Sequence, residues 1–198
     1  MKNLAAIYTD NDAISLLIRH SERYDHSDMK DLRLTEQGIS KAVELGGRLS
    51  NYKINRIITT KVSRCTETAE CIEKGYGRNI EIKSSKDFGR LYYTDRDTAK
   101  AFLEKQGYKS HELYKRMISE IDTPGISSIE SYKKSMDDFI IDNTNNNGIT
   151  IFVSHDMNIA YYQFCINKTK YERFTDVKYL CGMLLCNGKY VSDFQAEV

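Results

Sequence analysis

The chain has 198 residues, a length typical of one domain that buries its core without disulfides or metal. Its composition, 40% hydrophobic and 29% charged, excludes fibrous, low-complexity and wholly disordered classes. Lys and Arg number 29 against 28 Asp and Glu, giving a net charge of +1. We therefore expect no nucleic-acid or membrane partner, and any anion binding has to be local.

The N-terminus and the cysteines predict a cytoplasmic protein. The apolar run at residues 4–8 is too short for a signal-peptide core or a membrane span. The five cysteines are odd in number and contain no Cys-x-x-Cys pair, which suits a reducing compartment and gives no zinc-ligand spacing.

Short apolar runs predict strands at residues 13–18, 54–59, 79–82 and 149–153. Helical patterns lie between them, at residues 35–50 with Thr35 as the cap, 63–75 with Gly75 as the stop, 94–106 and 110–121. A further helix starts at a capping box of Ser127 and Glu130, and another at about Asp156. Residues 179–186 and 189–194 indicate a terminal hairpin.

This alternation predicts one α/β domain over residues 1–198. We expect a three-layer αβα sandwich whose mainly parallel central sheet carries helices on both faces. Residues 84–125, closed by a turn at Thr123-Pro124-Gly125, form a small insertion that we expect to cover the substrate.

Polar residues follow three of the predicted strands. Arg19-His20-Ser21-Glu22-Arg23 follows the first, Arg64 opens the helix after the second, and His155-Asp156 follows the late strand. Because ligands of such sheets bind beyond the carboxyl ends of the strands, we expect these side chains to meet at one edge.

The chemistry of this set suits phosphoryl transfer. Arg19, Arg23 and Arg64 offer fixed donor forks to phosphate oxygens, and His155 adds a donor. A neutral His20 would attack phosphorus, and Asp156 would protonate the leaving oxygen and later activate water. No metal or cofactor is needed for these steps.

The same residues resemble the histidine phosphatase superfamily. The resemblance covers residues 16–23, Leu34-Thr35-Glu36-Gln37-Gly38, residues 63–69 and residues 152–156, in the family's order. It implies a phosphoglycerate mutase-like fold, with His20 as the phosphorylated nucleophile and Arg19, Arg64 and His155 lining the phosphate pocket.

The proton donor depends on the branch of the family. Arg23 and the His155-Asp156 pair look nearer to the histidine acid phosphatase branch, in which this Asp donates the proton. In the mutase-like branch the acid comes from the middle section, where Asp87 is the nearest candidate. We favour Asp156. Ser21 stands where the family usually has Gly.

We therefore predict a metal-independent phosphatase that hydrolyses small phosphomonoesters, or a phosphoprotein, through phospho-His20. A phosphomutase and a non-catalytic phospho-ligand-binding module remain as alternatives, the latter encouraged only by Ser21. The polar residues after the first motif indicate a solvated loop near the pocket mouth rather than a metal site; they are Asp25, His26, Asp28 and Asp31.

Overall fold

A computed structural model describes residues 2–9, 11–24, 33–196 and 198, without the side chains of residues 2 and 3. Within these ranges six strands form one sheet: β1 Ala13–Arg19, β2 Ile54–Thr60, β3 Glu81–Ser85, β4 Gly148–Ser154, β5 Gly182–Cys186 and β6 Lys189–Phe194. Their order is β3-β2-β4-β1-β5-β6. The first four strands in this order pair in parallel, while β5 and β6 add two antiparallel pairings.

The helices of the described ranges are α1 Lys2–Ile7, α2 Glu36–Arg48, α3 Ser63–Tyr76, α4 Arg96–Gln106, α5 Ser110–Ile118, α6 Ile129–Asn143 and α7 Asp156–Asn167. A short 3₁₀ helix spans Phe174–Asp176. Of the described helices, none has both the length and the apolar character needed to cross a membrane.

Alternate residues of the central strands face two different helical layers. In β1, Leu16 and Ile18 pack into a core that includes α1, α2 and α3. Leu17 points the other way, into a core that includes α5, α6 and α7. Since strand side chains alternate between faces, both faces of the sheet are covered, and the predicted three-layer sandwich is confirmed.

The parallel strands bring their carboxyl ends to one edge. In the register of β1 with β4, Arg19 is opposite Ser154, the residue before His155. Thr60 ends the neighbouring strand β2, and Ser85 opposite it ends β3. Residues that follow these four strands therefore lie along the same edge, as expected.

The predicted stop of the second long helix at Gly75 is wrong. Helix α3 continues to Tyr76 and ends at Gly77, whose φ of 73° is left-handed. Gly75 serves a packing contact instead, because a Cβ there would lie 1.8 Å from the carbonyl oxygen of Val43 in α2.

The predicted capping box of Ser127 and Glu130 is also wrong, by one residue. Ser128 caps α6, and its hydroxyl accepts from the backbone N–H of Ser131. The hydroxyl of Ser127 instead donates to the carbonyl of Leu91 at 3.3 Å. The sequence pattern does not distinguish two adjacent serines as the helix cap. Because Ser127 bonds to the distant Leu91, Ser128 is the residue that caps α6.

Other boundaries differ for local reasons. Strand β3 starts at Glu81 rather than residue 79, because the N–H of Ile80 donates to the Glu73 side chain of α3. Strand β5 starts at Gly182 because Leu180 has a left-handed φ of 56°. Helix α5 ends at Ile118, since Glu120 has a φ of 57°. Helix α1 was not predicted.

Candidate active site

His20 follows β1 and is almost completely buried. Its Nδ1 lies 2.7 Å from the carbonyl oxygen of Ser21, and its Nε2 lies 3.0 Å from the Nε of Arg64. Arginine only donates, so Nδ1 carries the proton and Nε2 carries the lone pair. Burial, followed by the charges of Arg64, His155 and Arg19, lowers the pKa of His20 to about 2. The ring is therefore neutral at physiological pH.

Arg64 joins the two histidines. It is the second residue of α3, and its Nη2 donates to Nδ1 of His155 at 3.1 Å while its Nε donates to His20. Burial is also the largest cause that lowers the pKa of Arg64. One guanidinium thus holds both rings in place, as a planar fork is suited to do.

His155 precedes α7 and is fixed on both ring nitrogens. Because Nδ1 accepts from Arg64, Nε2 carries the proton and donates to the hydroxyl of Thr60 at 3.1 Å. Burial and the charges of Arg64, Arg19 and Arg23 lower the pKa of His155 to about 3. Thr60, which ends β2, was missed in the sequence, although its place at a strand end could have indicated it.

Asp156 is paired with Arg19. The Nη2 of Arg19 lies 2.9 Å from Oδ2 of Asp156, and the other carboxylate oxygen accepts from the backbone N–H of Met157 at 2.8 Å. Both oxygens of the candidate acid thus have partners. This pair brings the ends of β1 and β4 together.

Arg19 also anchors the segment at residues 174–179. Its Nη1 donates to the carbonyls of Thr175, at 3.1 Å, and Val177. The ring of Tyr179 lies 4.1 Å from the guanidinium carbon and 5.8 Å from the His20 ring. The buried Nε of Arg19 has no acceptor in the described part of the chain. No local pattern in the sequence indicated Tyr179.

Ser21, the residue after His20, supports the site through its hydrogen bonds. Its hydroxyl donates to the carbonyl of Gly38 in α2 at 2.6 Å, and its N–H donates to Thr68 in α3 at 3.0 Å. The hydroxyl of Thr68 in turn donates to the carbonyl of Arg64 at 2.7 Å. Ser21 therefore ties the His20 loop to both helices on that face.

Arg23 is half-buried, and its Nη1 donates to the carbonyl of Tyr24 at 3.0 Å. Its charge contributes to lowering the pKa of both Arg64 and His155. Arg23 therefore adds positive charge to the same region, as the sequence indicated.

Cys65 lies beside His155, with its Sγ 3.8 Å from Nε2. Burial raises the pKa of this thiol to about 12, so that it is protonated and not nucleophilic at physiological pH. His20 is therefore the better nucleophile of the two.

Asp87, the alternative acid, is exposed in the turn after β3, where its N–H donates to the hydroxyl of Ser85 at 3.3 Å. The possible metal ligands Asp25, His26, Asp28 and Asp31 lie outside the described residues. In the rest of the chain, as far as the structure describes it, no group of three or more His, Cys, Asp or Glu could hold a metal ion.

Comparison with known families identifies this arrangement. The sequence model of the histidine phosphatase superfamily, branch 1, matches residues 15–180, which include all the site residues above. The chain belongs to the histidine phosphatase superfamily. Because the matching model is that of branch 1, the prediction that the motifs lie nearer to the histidine acid phosphatase branch is not supported. No curated protein sequence matches it significantly.

Solved structures share the fold at low sequence identity. A phosphoglycerate mutase from Bacillus anthracis is 16% identical, with 94% of each chain covered and a TM-score of 0.62. A mycobacterial glucosyl-3-phosphoglycerate phosphatase is 13% identical, with 88% of this chain and 90% of that chain covered and a TM-score of 0.58. A phosphoserine phosphatase from Entamoeba histolytica, solved with phosphoserine, is 19% identical, with 93% and 98% covered and a TM-score of 0.55. The phosphoglycerate mutase-like fold is thereby confirmed.

Proposed function

We propose that the chain is a metal-independent phosphatase that hydrolyses small phosphomonoesters through a phosphohistidine on His20. The observation that carries this proposal is the state of His20: a neutral ring whose proton is held on Nδ1 and whose Nε2 lone pair faces Arg64. A nitrogen nucleophile needs a free lone pair, and phosphate needs cationic donors around it.

In the first step, Nε2 of His20 attacks phosphorus and the bond from phosphorus to the leaving oxygen breaks. Arg64 holds the phosphoryl oxygens, and Arg19 and Arg23 add positive charge. His155 adds a donor when its Nε2–H turns from the Thr60 hydroxyl to a phosphoryl oxygen. The proton on Nδ1 stays on the ring, held by the Ser21 carbonyl, so that the product is an Nε2-phosphorylated histidine.

Asp156 is the proposed proton donor and, in the second step, the base. In its protonated form it gives its proton to the leaving oxygen; the carboxylate then accepts a proton from the water that attacks the phosphohistidine, which releases phosphate and restores both residues. Asp156 is paired with Arg19 at 2.9 Å. To donate its proton, Asp156 must therefore lose this pairing, and Arg19 must bind the substrate phosphate instead. Asp87 remains the alternative donor.

The charge of the transferred group is balanced by side chains of this chain alone, without a metal in the proposed steps. Residues 84–125 carry α4 and α5 and follow β3 at the same sheet edge, and we infer that they cover the substrate and select its leaving group. The Entamoeba histolytica phosphoserine phosphatase binds phosphoserine and 3-phosphoglyceric acid, which are both small, and this supports a small substrate here. The cytoplasmic location stays a prediction from the sequence.

A phosphomutase would share the phosphohistidine and return the phosphoryl group to an acceptor. A non-catalytic binding module rested on Ser21 alone, and the contacts of Ser21 with Gly38 and Thr68 support the His20 loop rather than disturb it. The non-catalytic module is therefore the least supported of the three functions, and the fate of the phosphoryl group distinguishes a phosphatase from a phosphomutase.

The test is release of phosphate from p-nitrophenyl phosphate by pure protein in excess EDTA. We expect activity to persist, and His20→Ala to abolish it. Loss of activity on chelation, or full activity in His20→Ala, contradicts the proposal. If the protein bound vanadate saturably but hydrolysed no member of a panel of phosphoesters, the non-catalytic module would be favoured.

The proton donor is tested by comparing two leaving groups. p-Nitrophenolate leaves without help from an acid, whereas an alkoxide needs a proton. We expect Asp156→Asn to lower kcat/KM, which reports the phosphorylation of His20, at least tenfold more for an alkyl phosphate than for p-nitrophenyl phosphate. The same selective loss in Asp87→Asn instead would assign the role to Asp87.

A further inference from the structure

A cavity of about 240 Å³ lies between the end of α5 and the start of α6. None of the residues assigned above to phosphate binding or catalysis lines it. Its apolar wall includes Met117, Ile126 and Ile129, its acidic residues are Glu120, Asp122 and Glu130, and it is also lined by Tyr161.

Tyr161 belongs to α7 and is only 1% exposed. Its ring stacks on that of Tyr132 at 4.6 Å between centroids. Within the described part of the chain its hydroxyl has no hydrogen bond to protein, and its oxygen is not among the fully buried atoms that lack a partner, so it stays open to a ligand in the cavity. The hydroxyl of Tyr132, in contrast, donates to the carbonyl of Asn158 at 3.0 Å.

The charge around this hydroxyl is negative. Burial, followed by the charges of Cys165, Glu120 and Glu130, raises the pKa of Tyr161, so that the hydroxyl stays protonated. Glu120 and Glu130 line the same cavity as Tyr161. Among the described residues, no Lys, Arg or His lines the cavity. The nearby Arg116 donates to the Thr123 hydroxyl at 2.9 Å and to the Asp122 carbonyl, and so holds the loop rather than its carboxylates.

We propose that this cavity is a second ligand site, which binds a small organic cation with a primary ammonium group. The ammonium donates to the Tyr161 hydroxyl oxygen and to the carboxylates of Glu120 and Glu130, while a short aliphatic body contacts the apolar wall. An organic cation fits better than a metal ion, because no group of three metal-ligating side chains converges among the described residues and much of the wall is apolar.

The test uses n-butylammonium chloride, titrated into ¹⁵N-labelled protein and followed by NMR. We expect saturable shifts at the cavity residues with a Kd of about 1 mM or tighter. Sodium chloride at equal ionic strength and n-butanol should give none. Because the site is separate from His20, the same binding is expected in His20→Ala.

Variants locate the contacts. Tyr161→Phe keeps the stacked ring and removes the unpaired hydroxyl, so that we expect unchanged thermal stability and about tenfold weaker binding. The double variant Glu120→Gln/Glu130→Gln should weaken binding at least about tenfold. Asp142→Asn, an exposed carboxylate at the other end of α6, is the control and should bind as the wild type does.

Three results would contradict the proposal of an ammonium site in this cavity. They are shifts that do not saturate, equal shifts with n-butanol, and unchanged affinity in both Tyr161→Phe and the double variant. None of them depends on phosphatase activity.

Discussion

At the scale of single residues, Arg64 is the side chain on which the site depends most. Its Nε contacts the lone pair of His20 and its Nη2 contacts His155. A phosphoryl group that bonds to Nε2 of His20 must take the place of the Arg64 Nε at that atom. The guanidinium then has a donor ready for a phosphate oxygen, and its fork geometry suits that contact.

Arg64→Lys tests this role, because it keeps the charge and removes the planar fork. We expect kcat/KM for p-nitrophenyl phosphate to fall about 100-fold, which corresponds to about 2.7 kcal/mol of transition-state stabilisation. The control is Arg48→Lys. Arg48 forms an exposed ion pair with Glu44 on α2, so this substitution should leave kcat/KM unchanged. If Arg64→Lys kept more than half of the activity, charge alone would be sufficient.

His20 also links the site to the pH dependence of stability. Its pKa is about 2 in the folded chain, against 6.5 as the ordinary value. Between these values the unfolded chain binds a proton that the folded chain does not, so the free energy of unfolding falls as pH decreases below 6.5. Well above pH 6.5, His20 contributes no pH dependence to the free energy of unfolding.

We expect His20→Asn to remove the contribution of His20 to the pH dependence of stability. Urea unfolding at pH 6.5 to 5 should show a free energy of unfolding that decreases less steeply in the variant, by about 1 kcal/mol per pH unit on average. The slope is the readout, because the substitution also changes packing. Parallel slopes in variant and wild type would mean that His20 is protonated in the folded chain.

At the scale of elements, α3 delivers Arg64 and depends on its close contact with α2. Where the two helices face each other, two glycines have no space for a side chain. A Cβ at Gly46 would lie 2.1 Å from the carbonyl oxygen of Ile72, and one at Gly75 would lie 1.8 Å from that of Val43. At Gly47, on the same helix as Gly46, the nearest atom would be 3.7 Å away.

This contrast predicts opposite effects for the same substitution. Gly75→Ala should lower the free energy of unfolding by about 2 kcal/mol or more, because backbone has to move. Gly47→Ala should be neutral or stabilising by up to about 1 kcal/mol, because alanine favours the helix. Urea unfolding of both variants gives the comparison. Equal effects at the two positions would contradict the close helix contact.

Elements were predictable where the signal was local. The apolar runs placed β1 and β4, since a strand buried on both faces needs such a run. The cap of α6 was missed because Ser127 bonds to Leu91, which is distant in the sequence. The start of β5 was missed because Leu180 has a left-handed φ, which the sequence pattern does not indicate.

At the scale of the whole molecule, the near-zero net charge hides an uneven distribution. Several surface charges cancel in pairs one helical turn apart, such as Arg48 with Glu44 and Lys134 with Asp138. At the sheet edge, by contrast, Arg64 faces two neutral histidines. The proposed binding site for a small anion therefore lies in a chain whose total charge is +1.

The candidate site was predictable for the same reason as the parallel strands. Once β1, β2 and β4 were placed, His20, Arg64 and His155 had to meet at their carboxyl ends. The pairing of Arg19 with Asp156 and the packing of Tyr179 on Arg19 were not predictable, since they depend on side-chain geometry between segments far apart in sequence.

The central claim is covalent phosphorylation of His20. The direct test is brief incubation with a ³²P-labelled phosphomonoester, rapid quenching in alkali, and mapping of the labelled peptide. We expect label that is stable to alkali and lost in acid, located on His20, absent in His20→Ala, and released to water rather than to an acceptor metabolite in the active protein. Turnover without any trapped label, or label that persists in His20→Ala, would contradict the account.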